Sequence, residues 1–327
     1  MNQVKLGIIG LGNMGSGHCN NILAGLTPEI KLTAAADLRQ SRRDWAKETL
    51  PDDVVLFENG EQLIESGLCD AVIIATPHYE HPRLAILAFE HGLHVMSEKP
   101  AGVYTKQVRE MNEAAIRSDK VFGMMFNQRT NCVYRKMHEM VQSSKYGQIK
   151  RVNWIITDWY RTQAYYNSGG WRATWDGEGG GVLLNQCPHN LDLLQWICGL
   201  PCRVRAFCHN GKWHQIEVED DVPAYLEFPN GATGVFVTTT ADAPGTNRFE
   251  ITLERGKLVA EHDKLTFFEL EQSERDFCFT ATGGFEQPAG HEVTIELDGK
   301  NPQHVGVLNA FAGAILRGEP LVADGTE

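Results

Sequence analysis

Lys99, which follows a short predicted strand, is one residue whose type and position suit a role in catalysis. Lys99 lies in Glu98-Lys99-Pro100, directly after the predicted strand 94–96, and Pro100 turns the chain because it cannot continue a strand ladder. A lysine at the carboxyl end of a strand could hold a substrate hydroxyl and stabilise charge as its proton leaves. The alternative is a surface lysine paired with Glu98, and these residues by themselves favour that alternative.

A second candidate is a polar stripe in residues 182–198, an apolar segment that is predicted to be a helix. Asn185, His189 and Asp192 interrupt it at spacings of four and three, which places them on one helix face. An unpaired buried polar group costs about 1–3 kcal/mol, so this face must meet a partner or a wet cavity. A neutral imidazole near its ordinary pKa suits proton removal at neutral pH. The alternative is a satisfied core network, and three polar residues on one stripe favour a site.

A glycine-rich turn near the N-terminus could hold a dinucleotide. Gly10, Gly12 and Gly15 follow an apolar strand and precede a helix, and Asp37 closes the second predicted strand 22 residues after Gly15. Gly10 permits the tight turn, Gly12 lets backbone approach the pyrophosphate, and Gly15 lets helix and strand pack closely. The phosphates would lie at the positive helix N-terminus, so the spacing predicts a Rossmann dinucleotide site.

Asp37 and its neighbours bear on the choice of cofactor. An acidic residue here accepts hydrogen bonds from the adenosine ribose hydroxyls, which favours NAD over NADP. Arg39 or Arg42 could instead meet a 2′-phosphate, and Asp37 could be an ordinary turn carboxylate. We predict NAD, with NADP less favoured. The predicted cofactor contacts in this part of the chain are Gly10, Gly12, Asn13, Met14, Asp37 and Leu38.

A loop rich in glycine and tryptophan, residues 169–176, precedes the polar stripe. Tryptophan faces such as that of Trp171 stack on the C–H faces of sugars, and Arg172 and Asp176 offer hydrogen bonds to hydroxyls. More aromatic residues lie nearby, among them Tyr160, and core or interface packing is the alternative for Trp159, Tyr165 and Tyr166. The glycines around Trp171 and Arg172 predict a mobile loop and favour a binding role for both.

The elements that would position these residues change in pattern at about residue 126. Up to there, short apolar strands alternate with helices, which predicts a parallel sheet covered on both faces. Beyond it, strands dominate before a last helix that stops at Gly318. We predict an α/β fold with a Rossmann doubly wound parallel sheet in 1–126. Residues 127–327 are predicted to form an α+β domain for substrate binding and oligomerisation, with a large, mostly antiparallel open-faced sheet.

Several motifs together resemble those of the glucose–fructose oxidoreductase/inositol dehydrogenase/MocA (Gfo/Idh/MocA) family. They are Ala75-Thr76-Pro77-His78 with His81, Glu98-Lys99-Pro100, and Gly179-Gly180-Gly181 with His189. The resemblance implies that Lys99 and His189 are catalytic, with His189 as general acid/base, and that the bond before Pro100 is cis. Many inositol dehydrogenase-like members carry Asp where this chain has Asn185, which cannot take a proton and leaves more weight on His189.

The resemblance completes the predicted site. The predicted cofactor site also includes Thr76, Pro77, His81, Glu98 and Lys99. Asn127, at the end of the sixth predicted strand, is a further predicted cofactor residue, and domain-linker hydrogen bonding is its alternative. The spacing of cysteines and histidines predicts no metal site. The predicted substrate-binding residues are Tyr160, Trp171, Arg172, Asp176, Asn185 and Asp192.

The same resemblance implies an NAD(P)-dependent dehydrogenase that acts on CH–OH groups. His189 would take the proton of a secondary hydroxyl with help from Lys99, while the hydride passes to the nicotinamide. The expected substrate is a sugar, glycoside or polyol, and the tryptophan-rich loop favours a pyranose oxidised at carbon 3. One alternative is an NAD-dependent glycosidase or lyase that oxidises transiently and eliminates. Another is a non-catalytic NAD-responsive sensor, against which the intact Lys99 and His189 argue.

Charge and composition argue against other classes of function. The net charge is −12 over 327 residues with no basic run, so we expect no nucleic-acid partner. No segment approaches the roughly 18 apolar residues of a membrane span, and the N-terminus lacks a signal-peptide pattern, so we expect a cytoplasmic protein. The eight cysteines form no CxxC and lack a nearby histidine pair, so we expect mostly buried thiols.

Two further expectations concern assembly and length. The resemblance implies a homodimer or homotetramer that uses the large C-terminal sheet. Family members usually continue past a sequence like Gly318-Glu319-Pro320 into another helix, so we expect either a shortened chain at Glu327 or a tail outside this sequence.

Overall fold

The chain folds into two compact units in a computed structural model that describes residues 3–327. The first unit takes the chain up to Thr130, together with Gly177–Gly179 and Asn301–Glu327. The second unit takes Asn131–Asp176 and Gly180–Lys300. The last helix therefore belongs to the first unit, and the domain division at residues 126 and 127 stays a prediction.

Parallel strands form the sheet of the first unit. Among the described residues it has six strands in the order β3-β2-β1-β4-β5-β6, and neighbouring strands pair in parallel. The strands are β1 (Val4–Ile9), β2 (Ile30–Ala36), β3 (Val55–Phe57), β4 (Ala71–Ile74), β5 (His94–Ser97) and β6 (Phe122–Met124). All of β4 is buried, as in a sheet covered on both faces. The strand order reverses between β1 and β4, where open α/β sheets bind ligands at their carboxyl edge.

Helices cover the sheet of the first unit. They are α1 (Asn13–Leu23), α2 (Gln40–Thr49), α3 (Gly60–Glu65), α4 (Glu80–Glu90), α5 (Thr105–Ser118), a 3-10 turn (Asn127–Thr130) and α10 (Gln303–Arg317). Leu308 and Phe311 of α10 are buried in the same apolar cluster as Leu6 and Ile8 of β1. The predicted end of this helix is confirmed, because Gly318 follows it with a left-handed φ of 69°.

A second sheet, mostly antiparallel, forms the centre of the other unit. Among the described residues, eight of its strands follow the order β15-β14-β13-β12-β7-β11-β10-β8, and β9 pairs with β10. The β7–β11 pair is parallel. The strands are β7 (Ile149–Ile156), β8 (Arg203–Ala206), β9 (His209–Asn210), β10 (Glu219–Glu227), β11 (Thr233–Thr239), β12 (Asn247–Leu253), β13 (Gly256–Glu261), β14 (Lys264–Leu270) and β15 (Gly290–Val293). The predicted fold class is confirmed in both units.

Aromatic packing holds the middle of this second sheet. Trp154 of β7 stacks on Phe249 of β12 with ring centroids 4.1 Å apart, and Phe236 of β11 meets it edge-on at 6.2 Å. Met137 and Leu193 lie in the same buried cluster. They belong to two of the helices of this unit, which are α6 (Cys132–Gln142), α7 (Gln163–Tyr166), α8 (Pro188–Cys198) and α9 (Glu274–Thr280).

The helix of the predicted polar stripe is shorter than the sequence pattern suggested. It begins at Pro188, and residues 182–187 form turns instead. Proline lacks the N–H that would continue a helix from the preceding turn, and it is favoured at the first helical position. Asn185 therefore does not share a helix with His189 and Asp192, so the prediction of one helical face is wrong for Asn185.

Membrane-spanning helices, metal sites and the burial of cysteines can each be assessed over residues 3–327. No helix there is long and apolar enough to cross a bilayer. No group of three or more His, Cys, Asp or Glu side chains there could hold a metal ion. The expectation of mostly buried thiols is wrong, because Cys202, Cys208 and Cys278 are exposed and Cys132 and Cys198 are half-buried. Cys202 precedes β8, a strand at the sheet edge in which every residue is exposed.

Candidate functional site

The glycine turn after β1 forms a tight cradle at the start of α1. Gly10 has a φ of 93°, and a Cβ there would lie 2.5 Å from the carbonyl oxygen of Ala75. A Cβ on Gly15 would lie 1.8 Å from the carbonyl oxygen of Gly10. A Cβ on Gly12 would meet only the Arg39 guanidinium at 4.0 Å, so this glycine borders open space. The two outer glycines thus serve packing, and the middle one leaves room for a ligand to approach the backbone.

The N-terminus of α1 lies beside that open space. Gly12 is its N-cap, and no side chain caps the first turn. The first N–H groups of a helix have no partner within the helix, and together they favour an anion. Asn13 and Met14, both predicted cofactor contacts, are exposed in this first turn.

Asp37 at the end of β2 holds the glycine turn. Its carboxylate is buried and accepts hydrogen bonds from the backbone N–H of Leu11 at 2.8 Å and of Arg39 at 2.9 Å. A carboxylate has about four acceptor sites, so the two oxygens retain capacity for ribose hydroxyls. Leu38 beside it is exposed. Asp37 therefore combines a structural role with the position expected of the ribose ligand.

The three arginines after Asp37 have different surroundings. Arg42 donates to the carbonyl oxygen of Leu11 through Nε, and Arg43 donates to the carbonyl oxygens of Asp37 and Leu38 at 2.8 and 2.9 Å. The Arg39 side chain is 64% exposed, and its Nε lies 3.4 Å from Asp37. Arg39 is therefore the one of these three arginines at an exposed position, and its contact with a ribose 2′-phosphate stays a prediction.

His81 ties together the two loops that follow β4 and β5. Its Nδ1 lies 2.7 Å from the carbonyl oxygen of Pro100, and its Nε2 lies 2.8 Å from that of Thr76. Burial lowers the pKa of the imidazole, although both carbonyls favour its protonated form. Because both ring nitrogens face backbone oxygens, His81 shapes the site by fixing the loops, and a direct cofactor contact stays a prediction.

Lys99 is half-buried at the end of β5, next to a buried carboxylate. Glu98 is 5% exposed, and its Oε1 lies 2.8 Å from Nε2 of His18 on α1. Its Oε2 accepts a hydrogen bond of 3.3 Å from the backbone N–H of Lys99. The expected cis bond between Lys99 and Pro100 is confirmed. Glu98 is buried whereas Lys99 is half-buried, and the catalytic role of Lys99 stays a prediction.

Three buried polar atoms at this carboxyl edge have no hydrogen-bond partner among residues 3–327. They are Oγ1 of Thr76, Oδ1 of Asn127 and Nδ1 of His18. Asn127 is 4% exposed, and its amide nitrogen donates to Gln303 at the start of α10. Buried polar groups are normally hydrogen-bonded, so these atoms call for a polar ligand. With the open space at Gly12 and the uncapped helix, the residues present fit a dinucleotide.

In the second unit, the phenol of Tyr165 brings several predicted substrate residues together. Its oxygen accepts hydrogen bonds from Arg172 Nη1 at 2.9 Å and from the amides of Asn185 and Gln186 at 3.3 Å each. The Arg172 guanidinium lies over the Tyr165 ring at 4.7 Å and over Trp171 at 4.6 Å. The aromatic loop and the turn before α8 therefore form one polar cluster.

Two side chains of this cluster were missed by the sequence analysis as site residues. Tyr165 was given a packing alternative like its neighbours, and Gln186 was not singled out. The signal for Gln186 was its position beside Asn185 in an apolar segment, and its side chain is indeed buried. Tyr160 and Asp176, both predicted substrate contacts, lie at exposed positions.

His189 is the second residue of α8, and the turn before it is fixed by a buried glutamate. The carboxylate of Glu219 accepts hydrogen bonds from the backbone N–H groups of Gly181 at 2.9 Å and Leu183 at 3.1 Å. A Cβ on Gly181 would lie 1.9 Å from the Glu219 carbonyl oxygen, which explains a glycine there. His189 is half-buried and Asp192 is 8% exposed one turn later, so these two do share a helix face.

Two family models match the chain. Residues 4–126 match a model described as an oxidoreductase family with an NAD-binding Rossmann fold. Residues 134–259 match the GFO/IDH/MocA C-terminal domain.

Individual relatives have named activities. The myo-inositol 2-dehydrogenase of Thermotoga maritima is 24% identical over 279 residues, which cover 84% of this chain and 80% of that protein. The D-glucoside 3-dehydrogenase of Escherichia coli is 27% identical over 225 residues, 62% of this chain and 61% of that protein. Among solved structures, the WlbA dehydrogenase from Chromobacterium violaceum in complex with NADH and UDP-GlcNAcA superposes with a TM-score of 0.81. At 24% identity, with 99% of this chain and 89% of that chain covered, this match shows the shared fold.

Proposed function

Because this chain belongs to the Gfo/Idh/MocA family of NAD(P)-dependent oxidoreductases, we propose that it transfers a hydride between a secondary hydroxyl of a sugar, glycoside or polyol and NAD. The observation that carries this proposal is Lys99, half-buried beside the Glu98 carboxylate at the carboxyl edge of the dinucleotide sheet. A charged lysine at that edge suits the binding of a reacting oxygen rather than general surface solubility.

The residues of the first unit that would hold the cofactor are the glycine turn, Asp37, Thr76 and Asn127. The turn and the N-terminus of α1 would receive the pyrophosphate, and Asp37 would accept the ribose hydroxyls. Thr76 would donate or accept through its buried hydroxyl, and Asn127 would accept through its buried amide oxygen. When bound, NAD supplies the acceptor for the hydride, and the protein contributes position and exclusion of water.

Lys99 and His189 would divide the handling of the hydroxyl proton. The Lys99 ammonium holds the hydroxyl oxygen and stabilises its developing negative charge. His189 accepts the proton in the oxidation direction and returns it in reduction, as a neutral imidazole does near pH 7. The C–H bond breaks and its hydrogen would pass with both bonding electrons, as hydride, to NAD⁺, while the O–H proton goes to His189, so that the alcohol becomes a ketone.

The Tyr165 cluster supports a sugar-like substrate. It combines the aromatic rings of Trp171 and Tyr165 with the polar groups of Arg172 and Asn185, the combination that binds a ring with several hydroxyls. The named activities of the two relatives concern an inositol and a glucoside. We favour a pyranose oxidised at carbon 3, because the C–H faces of a sugar ring stack on aromatic side chains such as Trp171.

His189→Ala is expected to lower kcat/KM by about 100-fold or more, because general acid/base groups typically contribute at least that much. The measurement is NAD⁺ reduction followed by absorbance over a panel of polyols, free sugars, nucleotide sugars and glycosides. His209→Ala, at an exposed position of β9, is the matched control and should retain wild-type activity.

Product analysis and NAD binding, measured over the same panel of substrates, separate the alternatives. Product formed without net NADH would favour the glycosidase or lyase, and NAD binding without turnover on any substrate would favour a sensor. Activity on inositol alone would overturn the pyranose preference. If His189→Ala matched the wild type, its proposed proton transfer would be wrong.

Asp37→Ser is expected to shift the preference for NAD over NADP by about 10- to 100-fold toward NADP, because it removes a negative charge that repels a 2′-phosphate. Arg39, exposed beside it, would then be free to pair with that phosphate. The readout is the ratio of kcat/KM for the two cofactors. Asp44→Ser, which removes an exposed carboxylate that accepts from Gln40, serves as the control. An unchanged ratio in the Asp37 variant would show that Asp37 acts only on the glycine turn.

A further inference from the structure

The buried carboxylate of Glu98 links helix α1 to the backbone of Lys99. One oxygen, Oε1, lies 2.8 Å from His18 Nε2, and the other, Oε2, accepts from the Lys99 N–H at 3.3 Å. His18 is 1% exposed and Glu98 is 5% exposed. A third residue, His304 at the start of α10, lies edge-on to His18, with the two ring centroids 5.6 Å apart and the ring planes inclined at 64°. All of these residues belong to the first unit.

Glu98 is ionised in these surroundings. Burial by itself would raise the pKa of this carboxyl, but the hydrogen bond from His18 and the charges of His18 and Lys99 outweigh burial and hold the pKa at about 2. An ionised carboxylate only accepts hydrogen bonds, so the proton of this contact is on Nε2 of His18. His18 therefore donates, and removing its ring would leave a buried charge without that partner.

The stability of the fold does not by itself explain the buried His18–Glu98 pair. Replacing a buried ion pair with apolar residues is often neutral or stabilising, whereas removing one partner costs about 3–5 kcal/mol. Perturbed carboxyls of this kind cluster at functional sites. The pair lies directly behind Lys99, which the proposed function makes the residue that holds the reacting oxygen. A role in placing Lys99 explains why a charged pair occupies a position that apolar side chains could fill.

We propose that His18 is a positioning residue for Lys99. His18 orients the Glu98 carboxylate so that Oε2 of Glu98 holds the Lys99 backbone and the carboxylate charge stays beside the Lys99 ammonium. This inference rests on the proposed function of Lys99. The groups that face Glu98 are His18 from α1, Lys99 beside it in the chain and His304 from α10. His304 has a pKa lowered mainly by burial, and it is a weak substitute for the hydrogen bond that His18 donates to Glu98.

The sign of the pH effect follows from the depressed pKa of Glu98. Its ionised form contributes stability above the ordinary glutamate pKa of about 4.3, and that contribution is lost as the pH falls toward 2. In His18→Leu the donor is gone and burial dominates, so the pKa of Glu98 should rise above its ordinary range. The variant should then take up a proton at Glu98 between about pH 7 and pH 5, where the wild type takes up none there.

The test compares infrared spectra and pH–rate profiles of the full chain. In His18→Leu, lowering the pH from about 7 to about 5 should produce a protonated-carboxyl band in excess of the signal that the other carboxyl groups give in the wild type, and the double variant with Glu98→Gln should lack this excess band. The kcat/KM of His18→Leu should fall about 10- to 100-fold, because displacing Lys99 by about 1 Å can cost that much. The pH–rate profile of this variant should also gain a new decline on its acidic side. His18→Gln, whose amide can donate to Glu98, should restore most of the wild-type kcat/KM and most of the wild-type pH–rate profile.

His94→Leu is the matched control. His94 is half-buried at the opposite end of β5, where its Nδ1 accepts from the Val121 N–H, and the groups that act on Glu98 are His18, Lys99 and His304 instead. This variant should show neither the excess band nor the acidic decline. The proposal is overturned if His18→Leu lacks the band, or if its profile matches that of His94→Leu. Full activity in a Lys99 variant would instead refute the proposed function, while the infrared band would still report on His18 and Glu98.

Discussion

Lys99→Met is expected to lower kcat/KM about 1,000-fold, within the range by which a positioned acid or base group accelerates proton transfer. Methionine keeps the length and apolar stem of lysine and removes the ammonium. The reacting oxygen then loses the charge that stabilises it as its proton leaves. The backbone N–H that Glu98 accepts is retained, and so is the His18–Glu98 hydrogen bond, so the loop after β5 should keep its shape. NADH should therefore still bind, as measured by its fluorescence.

Lys106→Met provides the control for that experiment. Lys106 lies on α5 with its side chain 86% exposed, and its nearest carboxylate, Glu110, is 3.9 Å away. Exposed pairs of this kind contribute about 0–1 kcal/mol, so activity and stability should be close to those of the wild type. If Lys99→Met also kept wild-type kcat/KM, then Lys99 would not act on the substrate and the proposed mechanism would fail.

Gly15→Ala is expected to weaken NADH binding at least about 100-fold, since displacement of a binding group by about 1 Å can have that effect. The new Cβ would lie 1.8 Å from the carbonyl oxygen of Gly10, an atom of the backbone that cannot rotate away. Either the turn or the start of α1 must move, and both form the predicted pyrophosphate site. Overpacking of this kind also costs about 1–3 kcal/mol, so the thermal midpoint should fall.

Gly17→Ala tests whether the effect is specific to that close approach. Gly17 lies two residues further along α1, and a Cβ there would have no heavy atom within 4 Å. Alanine is favoured over glycine in helices by up to about 1 kcal/mol, so this variant should bind NADH normally and be slightly more stable. Wild-type NADH affinity in Gly15→Ala would contradict the role assigned to the turn.

The sequence alone determined the features that depend on residues close together along the chain. The glycine turn, Asp37 and Lys99 each lie where a predicted strand ends, and parallel strands present those ends at one edge. Their common location therefore followed from the order of elements, without knowledge of any contact. The stop of α10 at Gly318 was equally local, because a glycine with a left-handed φ ends a helix by its own conformation.

Pro188 was a local signal for the start of α8, but the apolar pattern of residues 182–198 led to the prediction of a longer helix. Pro188 marks the start of α8, since proline cannot donate the hydrogen bond that a longer helix would need. The apolar residues around it suggested one helix from 182 and placed Asn185 on its face. The turn instead lets the Asn185 amide reach Tyr165.

Only the tertiary structure decided which distant side chains complete the site. His18 and Glu98 are 80 positions apart, and Asn127 and Gln303 are 176 apart. Glu219 fixes the turn before His189 from 38 positions away. No spacing rule along the chain encodes such pairs, because they exist only after packing has brought separate elements together. Sequence thus determined which residues could do chemistry, whereas packing decided which buried partners orient them.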